Sequence, residues 1–153
     1  MKRVLLGVGS RLSRDDGVGP AVARAMDGAD GWMAIDCGTA LENASGIVAR
    51  EEPDLLVIVD AARMGLPPGS IRRLPIDSTD RMLASTHGLP LSFVIERLGG
   101  AVQGTVLIGI EPEDLTFGEG ISEQVSKAAD ALAKILRGGD VEQIPALEAS
   151  GSD

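Results

Sequence analysis

Apolar residues fall in unbroken runs at residues 4–8 (VLLGV), 55–59 (LLVIV) and 105–110 (TVLIGI), and in a shorter run at residues 32–35 (WMAI). Continuous apolar runs of this length, bounded by glycine or acid, suit strands buried on both faces of a sheet. Between them the spacing changes. Val18, Ala21, Val22 and Ala25 recur at helical intervals, with Pro20 tolerable in a first turn. Leu91, Val94, Ile95 and Leu98 form a second helical stripe closed by Gly99 and Gly100. Val125, Ala128, Leu132 and Ile135 form a third, with Ser122 placed to cap it. Residues 43–50 make a short, weak helix, and residues 77–90 read as loop. Residues 71–75 (IRRLP) follow the turn-rich stretch MGLPPGS and read as an edge strand returning antiparallel. Strands alternating with helices predict an α/β protein with a mostly parallel sheet covered on both faces.

With 153 residues and no internal repeat, the chain is read as one domain, residues 1–137, followed by an acidic, small-residue tail, residues 138–153, expected to be partly disordered. Aromatic residues make up only 2%, so the core has to be built from aliphatic side chains. A net charge of -9 argues against a nucleic-acid or anionic-membrane surface. The single cysteine, Cys37, excludes an intramolecular disulfide and a cysteine-based zinc cluster. There is no signal-peptide pattern and no apolar run of spanning length, so the expectation is a soluble, cytoplasmic protein.

Chemistry concentrates in a few places. Residues 7–20 (GVGSRLSRDDGVGP) form an unusually long strand-to-helix connection, with Asp15 and Asp16 just before the helix. Asp36 and Asp60 each close a strand, and ligands of open parallel sheets bind beyond the carboxyl ends of strands. Asp16, Asp36 and Asp60 are therefore expected at one edge, against the alternative that a strand-ending Asp merely caps a loop. The one histidine, His87, lies in the polar stretch STHGLP. Carboxylates with an imidazole are a donor set for a divalent transition metal such as nickel or zinc, which makes Asp16, Asp60 and His87 a candidate metal site. Asp15 reads as a solvated or helix-start carboxylate. Other readings stay open. GVGSRL begins like a dinucleotide fingerprint, but Leu12 stands at its third glycine. Ser10, Ser13, Ser85 or Cys37 could pair with His87 as a nucleophile, although none lies in a G-x-S-x-G elbow.

Taken in order, GVGSRLSRDDGVGP, DCGT, IVDAARMG, STHGLPLSFVI and IGIEP resemble the hydrogenase maturation endopeptidases, from about residue 4 to the end of the final helix. THGLPLSF and IGIEP look closest to the branch serving hydrogenase-3-type and coenzyme F420-reducing enzymes. The resemblance implies a three-layer α/β/α fold whose five-stranded twisted sheet has the order 2-1-3-5-4 with strand 4 antiparallel. It implies removal of the C-terminal extension from a nickel-iron hydrogenase large-subunit precursor after nickel insertion, the cut following a His or Arg. By motif it assigns metal contact to Asp16, Asp60 and His87 and a further site role to Asp36. Nickel held by the substrate is the implied metal, for which cadmium or zinc could substitute in crystals, and the implied state is a monomer. Gly7, Gly9 and Ser10 would leave room for the substrate backbone. A non-catalytic nickel-sensing or chaperone module on the same fold is the alternative, and a nucleotide-binding regulator a more distant one.

Overall fold

In a computed structural model, which describes residues 1–75, 96–97 and 104–148, the apolar run near the N-terminus becomes the central strand β1 (Arg3–Val8). It pairs in parallel with β2 (Trp32–Gly38) on one side and β3 (Leu55–Ala61) on the other. Beyond β3 lies β5 (Thr105–Ile110), also parallel, and at the edge β4 (Ile71–Leu74), antiparallel to β5. The order is β2-β1-β3-β5-β4, as the resemblance implied. Strand β4 does not return beside its predecessor β3. The strand β5 inserts between them, and residues 62–70, turning through Gly65 and Gly69 with positive φ, carry the chain across that gap. Among the described residues three complete helices flank the sheet: α1 (Val18–Ala25), α2 (Ser45–Glu51) and α3 (Glu123–Arg137). Glu96 and Arg97 are helical. The rest of the stripe expected over residues 91–98 and the loop expected over residues 77–90 lie outside the described residues.

Strand parity divides the core in two. Leu5, Val57, Val59, Ile108 and Ile110 point to the face covered by α1 and α3, where Val22, Met26, Leu132 and Leu136 meet them. Val4, Leu6, Leu56, Ile58 and Leu107 point the other way, toward Leu41, Ala44 and Val48 around α2. Each fully buried aliphatic side chain contributes roughly 1.5–3 kcal/mol of transfer free energy. That is enough for a core almost free of aromatics. No helix among the described residues is long and apolar enough to cross a membrane.

Helix α1 lies unusually close to the sheet because glycines face each other there. A Cβ on Gly7 would fall 2.1 Å from the Gly19 carbonyl oxygen, and a Cβ on Gly19 would fall 2.4 Å and 2.5 Å from the carbonyl oxygens of Val8 and Val59. A Cβ on Gly9, whose φ is +145°, would fall 1.8 Å from the Asp16 carbonyl oxygen. The space left by Gly7 and Gly9 is thus filled by this chain's own backbone, not kept open for a substrate. These contacts seat the start of α1, and the loop before it, on the carboxyl ends of β1 and β3.

The C-terminal segment differs from the tail expected from residue 138. Val141 and Ile144 are buried, the Arg73 amide donates to the Pro145 carbonyl, and the Leu147 amide donates to the Arg73 carbonyl. Residues 145–147 therefore run along the outer side of β4 and satisfy an otherwise open sheet edge. Apolar Val141 and Ile144 within an acidic stretch are the physical reason it docks. Residues 149–153 lie outside the described residues.

The glycine contacts carry a prediction with a built-in control. Gly7→Ala should destabilise the fold by about 2 kcal/mol or more, since backbone stands where the methyl would go. Gly46→Ala in α2 has nothing within 4 Å and should stabilise by about 0.5–1 kcal/mol. Urea denaturation of the two variants reads the opposite signs.

Candidate active site

The long connection after β1 is not an open loop. Residues Arg14–Gly17 form a 3₁₀ turn that packs against β3 and presents both aspartates inward. Asp16 is buried, its amide donates to the Ser13 carbonyl at 3.0 Å, and its Oδ2 accepts the Ser10 amide at 2.9 Å. The carboxylate thus closes its own loop, and its direction is set by backbone on both sides. Asp60 is likewise buried, one residue before the end of β3 and in register with Gly109. By alternation along β3 it shares the face of Ile58 and Ala62, the α2 side. The two carboxylates meet the same carboxyl edge of the sheet, Asp16 from above and Asp60 from the strand end. His87 lies outside the described residues, and among the described residues no group of three His, Cys, Asp or Glu side chains is placed to hold a metal ion.

Asp36 stands at the same edge but on the other face. It is level with Val59 across β1, both being in register with Gly7, and its neighbours Ile35 and Cys37 belong to the α2 side, which turns Asp36 toward α1. Its Oδ1 accepts the Gly38 amide at 2.9 Å and its Oδ2 lies 4.0 Å from Arg24. Of the three aspartates expected at one edge, Asp60 therefore falls on the α2 face and Asp36 on the α1 face, with Asp16 in the turn that leads into α1. Cys37 is buried, and its thiol is pushed up to about 12, first by burial and then by the charge of Asp36. A thiol so far above neutral pH carries almost no thiolate and is a poor nucleophile.

Two further acids, Asp15, which sequence reasoning set aside, and Glu111, which it did not consider, brace the loops around the site. Asp15, 0% exposed, accepts the amides of Glu113 and Asp114 at 2.8 and 3.0 Å, the amide of Ser122 at 2.7 Å and the Ser122 hydroxyl at 2.8 Å. It is neither solvated nor a helix cap for α1. It pins the connection between β5 and α3 onto the first loop, helped by the Asp15 amide donating to the Asp114 carbonyl. Ser122 does stand at the start of α3, but its hydroxyl serves Asp15 and makes no cap of its own. Glu111, also buried, accepts the amides of Met64 and Leu66 at 2.7 and 3.2 Å and so fastens the chain leaving β3 beside Asp60. The signal that singled out Asp36 and Asp60, an acid closing an apolar strand, applies equally to Glu111 after TVLIGI.

Geometry of this kind, a three-layer α/β/α sheet with two buried carboxylates at one rim and braced loops around them, defines a site for polar chemistry on a ligand arriving at the carboxyl edge. The same architecture recurs in solved proteases. The chain is similar to the endopeptidase HycI from Escherichia coli, with TM-score 0.88, 31% identity and coverage of 99% of this chain and 100% of that one. It is also similar to a [NiFe] hydrogenase maturation protease from Thermococcus kodakarensis, with TM-score 0.80, 29% identity and 90% of each chain covered. In sequence it is 34% identical over 141 residues to the hydrogenase 3 maturation protease of Escherichia coli K12, spanning 90% of both. The family model for hydrogenase maturation proteases matches residues 18–138, and the chain belongs to that family. It is accordingly a peptidase of hydrogenase maturation.

Removing the Asp15 carboxylate should loosen the whole rim. Asp15→Ala leaves three amides without their acceptor and should lose about 3 kcal/mol or more in urea denaturation, whereas Asp15→Asn, which keeps one carbonyl oxygen, should lose less. Cys37 in the native protein should react with a thiol reagent at neutral pH at least ~100-fold more slowly than after unfolding.

Proposed function

We propose that this peptidase removes the C-terminal extension of a nickel-iron hydrogenase large-subunit precursor once nickel has been installed, with Asp16, Asp60 and His87 meeting the nickel held by the substrate. The observation that carries this reading is the pair Asp16 and Asp60, two buried carboxylates on separate elements aimed at one rim of the sheet. Oxygen donors together with the imidazole of His87 suit nickel. The likeness to the hydrogenase 3 maturation protease supports a hydrogenase-3-type precursor as substrate.

In this reading nickel acts first as a license for cleavage. A precursor lacking the metal offers Asp16, Asp60 and His87 no cation to meet and docks poorly; the nickel-loaded precursor docks and places its scissile bond over the rim. When bound, the metal supplies Lewis-acid polarisation of a nearby carbonyl or water. A carboxylate of the site serves as general base toward the attacking water, and the Ser10 amide holds Asp16 in the orientation that role requires. Asp36, on the α1 side of the same rim, takes a supporting part, holding the turn after β2 through the Gly38 amide.

The test is incubation with nickel-loaded and nickel-free precursor, with mass spectrometry for the released peptide. The expected outcome is one peptide, from the nickel-loaded precursor alone, and a loss of ~100-fold or more in rate for Asp16→Ala, Asp60→Ala and His87→Ala. Cleavage by these variants at the wild-type rate would contradict the assignment. A stable complex with no peptide would instead mark a nickel-sensing chaperone.

A further inference from the structure

On the α1–α3 side of the same rim lies a groove of about 410 Å³ whose lining includes Arg11, Arg14, Arg24, Gly17, Glu119 and Ser126. Three guanidiniums around one depression are conspicuous in a chain of net charge -9. Two of the three are paired only loosely, with half-exposed carboxylates at 3.8 and 4.0 Å. Arg11 is exposed and forms no ion pair among the described residues. Arg24 has only the 4.0 Å approach to half-exposed Asp36. Arg14 donates to neutral acceptors, the Thr116 hydroxyl and the Glu119 carbonyl, at 3.3 and 3.2 Å, with exposed Asp114 no nearer than 3.8 Å.

Arg14 is held in place rather than merely present. Its backbone φ of +46° is left-handed for a residue with a side chain, and its guanidinium lies so close over Gly118 that a Cβ there would fall 2.6 Å from Nη2. Strain of this kind persists only where surrounding contacts over-determine it. The contacts are those joining the two loops: Arg14 amide to Gly118 carbonyl, and Gly118 amide to Leu12 carbonyl. The same two loops hold out Leu12, 54% exposed, and Phe117, 83% exposed. Gly17, next in the chain after Asp16, forms part of the groove wall, and the Arg11 backbone covers it closely. Gly17 thus joins the groove to the turn that carries Asp16.

We propose that the groove is a docking site for an acidic segment of the precursor's C-terminal extension, with Arg11, Arg14 and Arg24 receiving its carboxylates and Leu12 and Phe117 meeting apolar residues beside them. The inference rests on the precursor-processing reading above and adds to it what holds the leaving side of the substrate. Positive charge surrounding a path for peptide selects acidic chain and speeds its capture, and the effect weakens with salt.

The experiment compares wild-type protein with Arg11→Glu/Arg24→Gln, two exposed positions outside the catalytic rim, with the melting temperature of each as a folding control. Binding of nickel-loaded precursor and of processed large subunit, which lacks the extension, is measured by biolayer interferometry at 50 and 300 mM salt, where the Debye length is about 14 and about 6 Å. The expected result is precursor binding weaker by about tenfold or more in the variant at low salt, with the difference shrinking at high salt and processed-subunit binding unchanged. Arg11→Lys/Arg24→Lys should retain most of the affinity. In cleavage, KM should rise while kcat stays within about twofold of wild type. Equal precursor affinity in wild type and variant would overturn the proposal, as would equal loss toward the processed subunit. Inorganic phosphate shifting the Gly17 and Glu119 amide resonances while the variant binds precursor normally would mark a small-anion site and overturn it too. Because binding is read apart from cleavage, a precursor that binds through the arginines yet is never cut would sink the peptidase reading and leave the groove intact.

Discussion

The rim of this protein depends on one buried carboxylate, that of Asp15. Three amides and a hydroxyl from residues 113–122 donate to it, and with them two segments about a hundred residues apart become a single wall. A buried charge is costly in isolation, and each charge-assisted hydrogen bond recovers part of that cost. Four together convert an expensive group into an anchor. What the anchor positions is its neighbour: with Asp15 fixed, the 3₁₀ turn is fixed, and Asp16 can only face the carboxyl end of β3. Two adjacent acids of identical chemistry thus divide the work, one bracing distant loops and the other closing its own loop through the Ser10 amide.

Close backbone approach does the rest. Gly7 and Gly19 bring α1 onto β1 and β3 at a distance no side chain would allow, and Gly9 lets the turn fold back over the end of β1. Strand alternation then decides which strand-end acid joins Asp16. Asp60 falls on the α2 side of the sheet, while Asp36 on β2 faces α1 and Arg24. The rim therefore carries acids of both faces, with Asp36 and Arg24 together on the α1 side.

Much of this was legible in the residues. The unbroken runs VLLGV, LLVIV and TVLIGI became the three central strands because only burial on both faces explains such runs, and IRRL read as an antiparallel edge strand from the short, turn-rich stretch before it. Asp60 stood out as an acid closing an apolar strand at the ligand edge of a parallel sheet, and Asp16 as an acid just before a helix at the end of a long loop. The neighbour of β4 was not readable from loop length alone, since insertion of β5 is a long-range choice. The role of Asp15 was hidden for the same reason: its donors lie in residues 113–122, and nothing local in RDDG distinguishes the first aspartate from the second. The small residues of the first loop looked like room for substrate, whereas they are room for α1. Docking of residues 138–148 on β4 was masked by acidic composition, though Val141 and Ile144 carried the signal.

The central claim is that Asp16 and Asp60, with His87, form the nickel-facing part of the molecule. The most direct measurement is titration of the protein with nickel(II) while following paramagnetic broadening of its amide resonances. The account predicts broadening centred on residues 15–17, 59–61 and 86–88, abolished in Asp16→Ala/Asp60→Ala with the fold retained. Broadening centred elsewhere, or unchanged in that double variant, would contradict it.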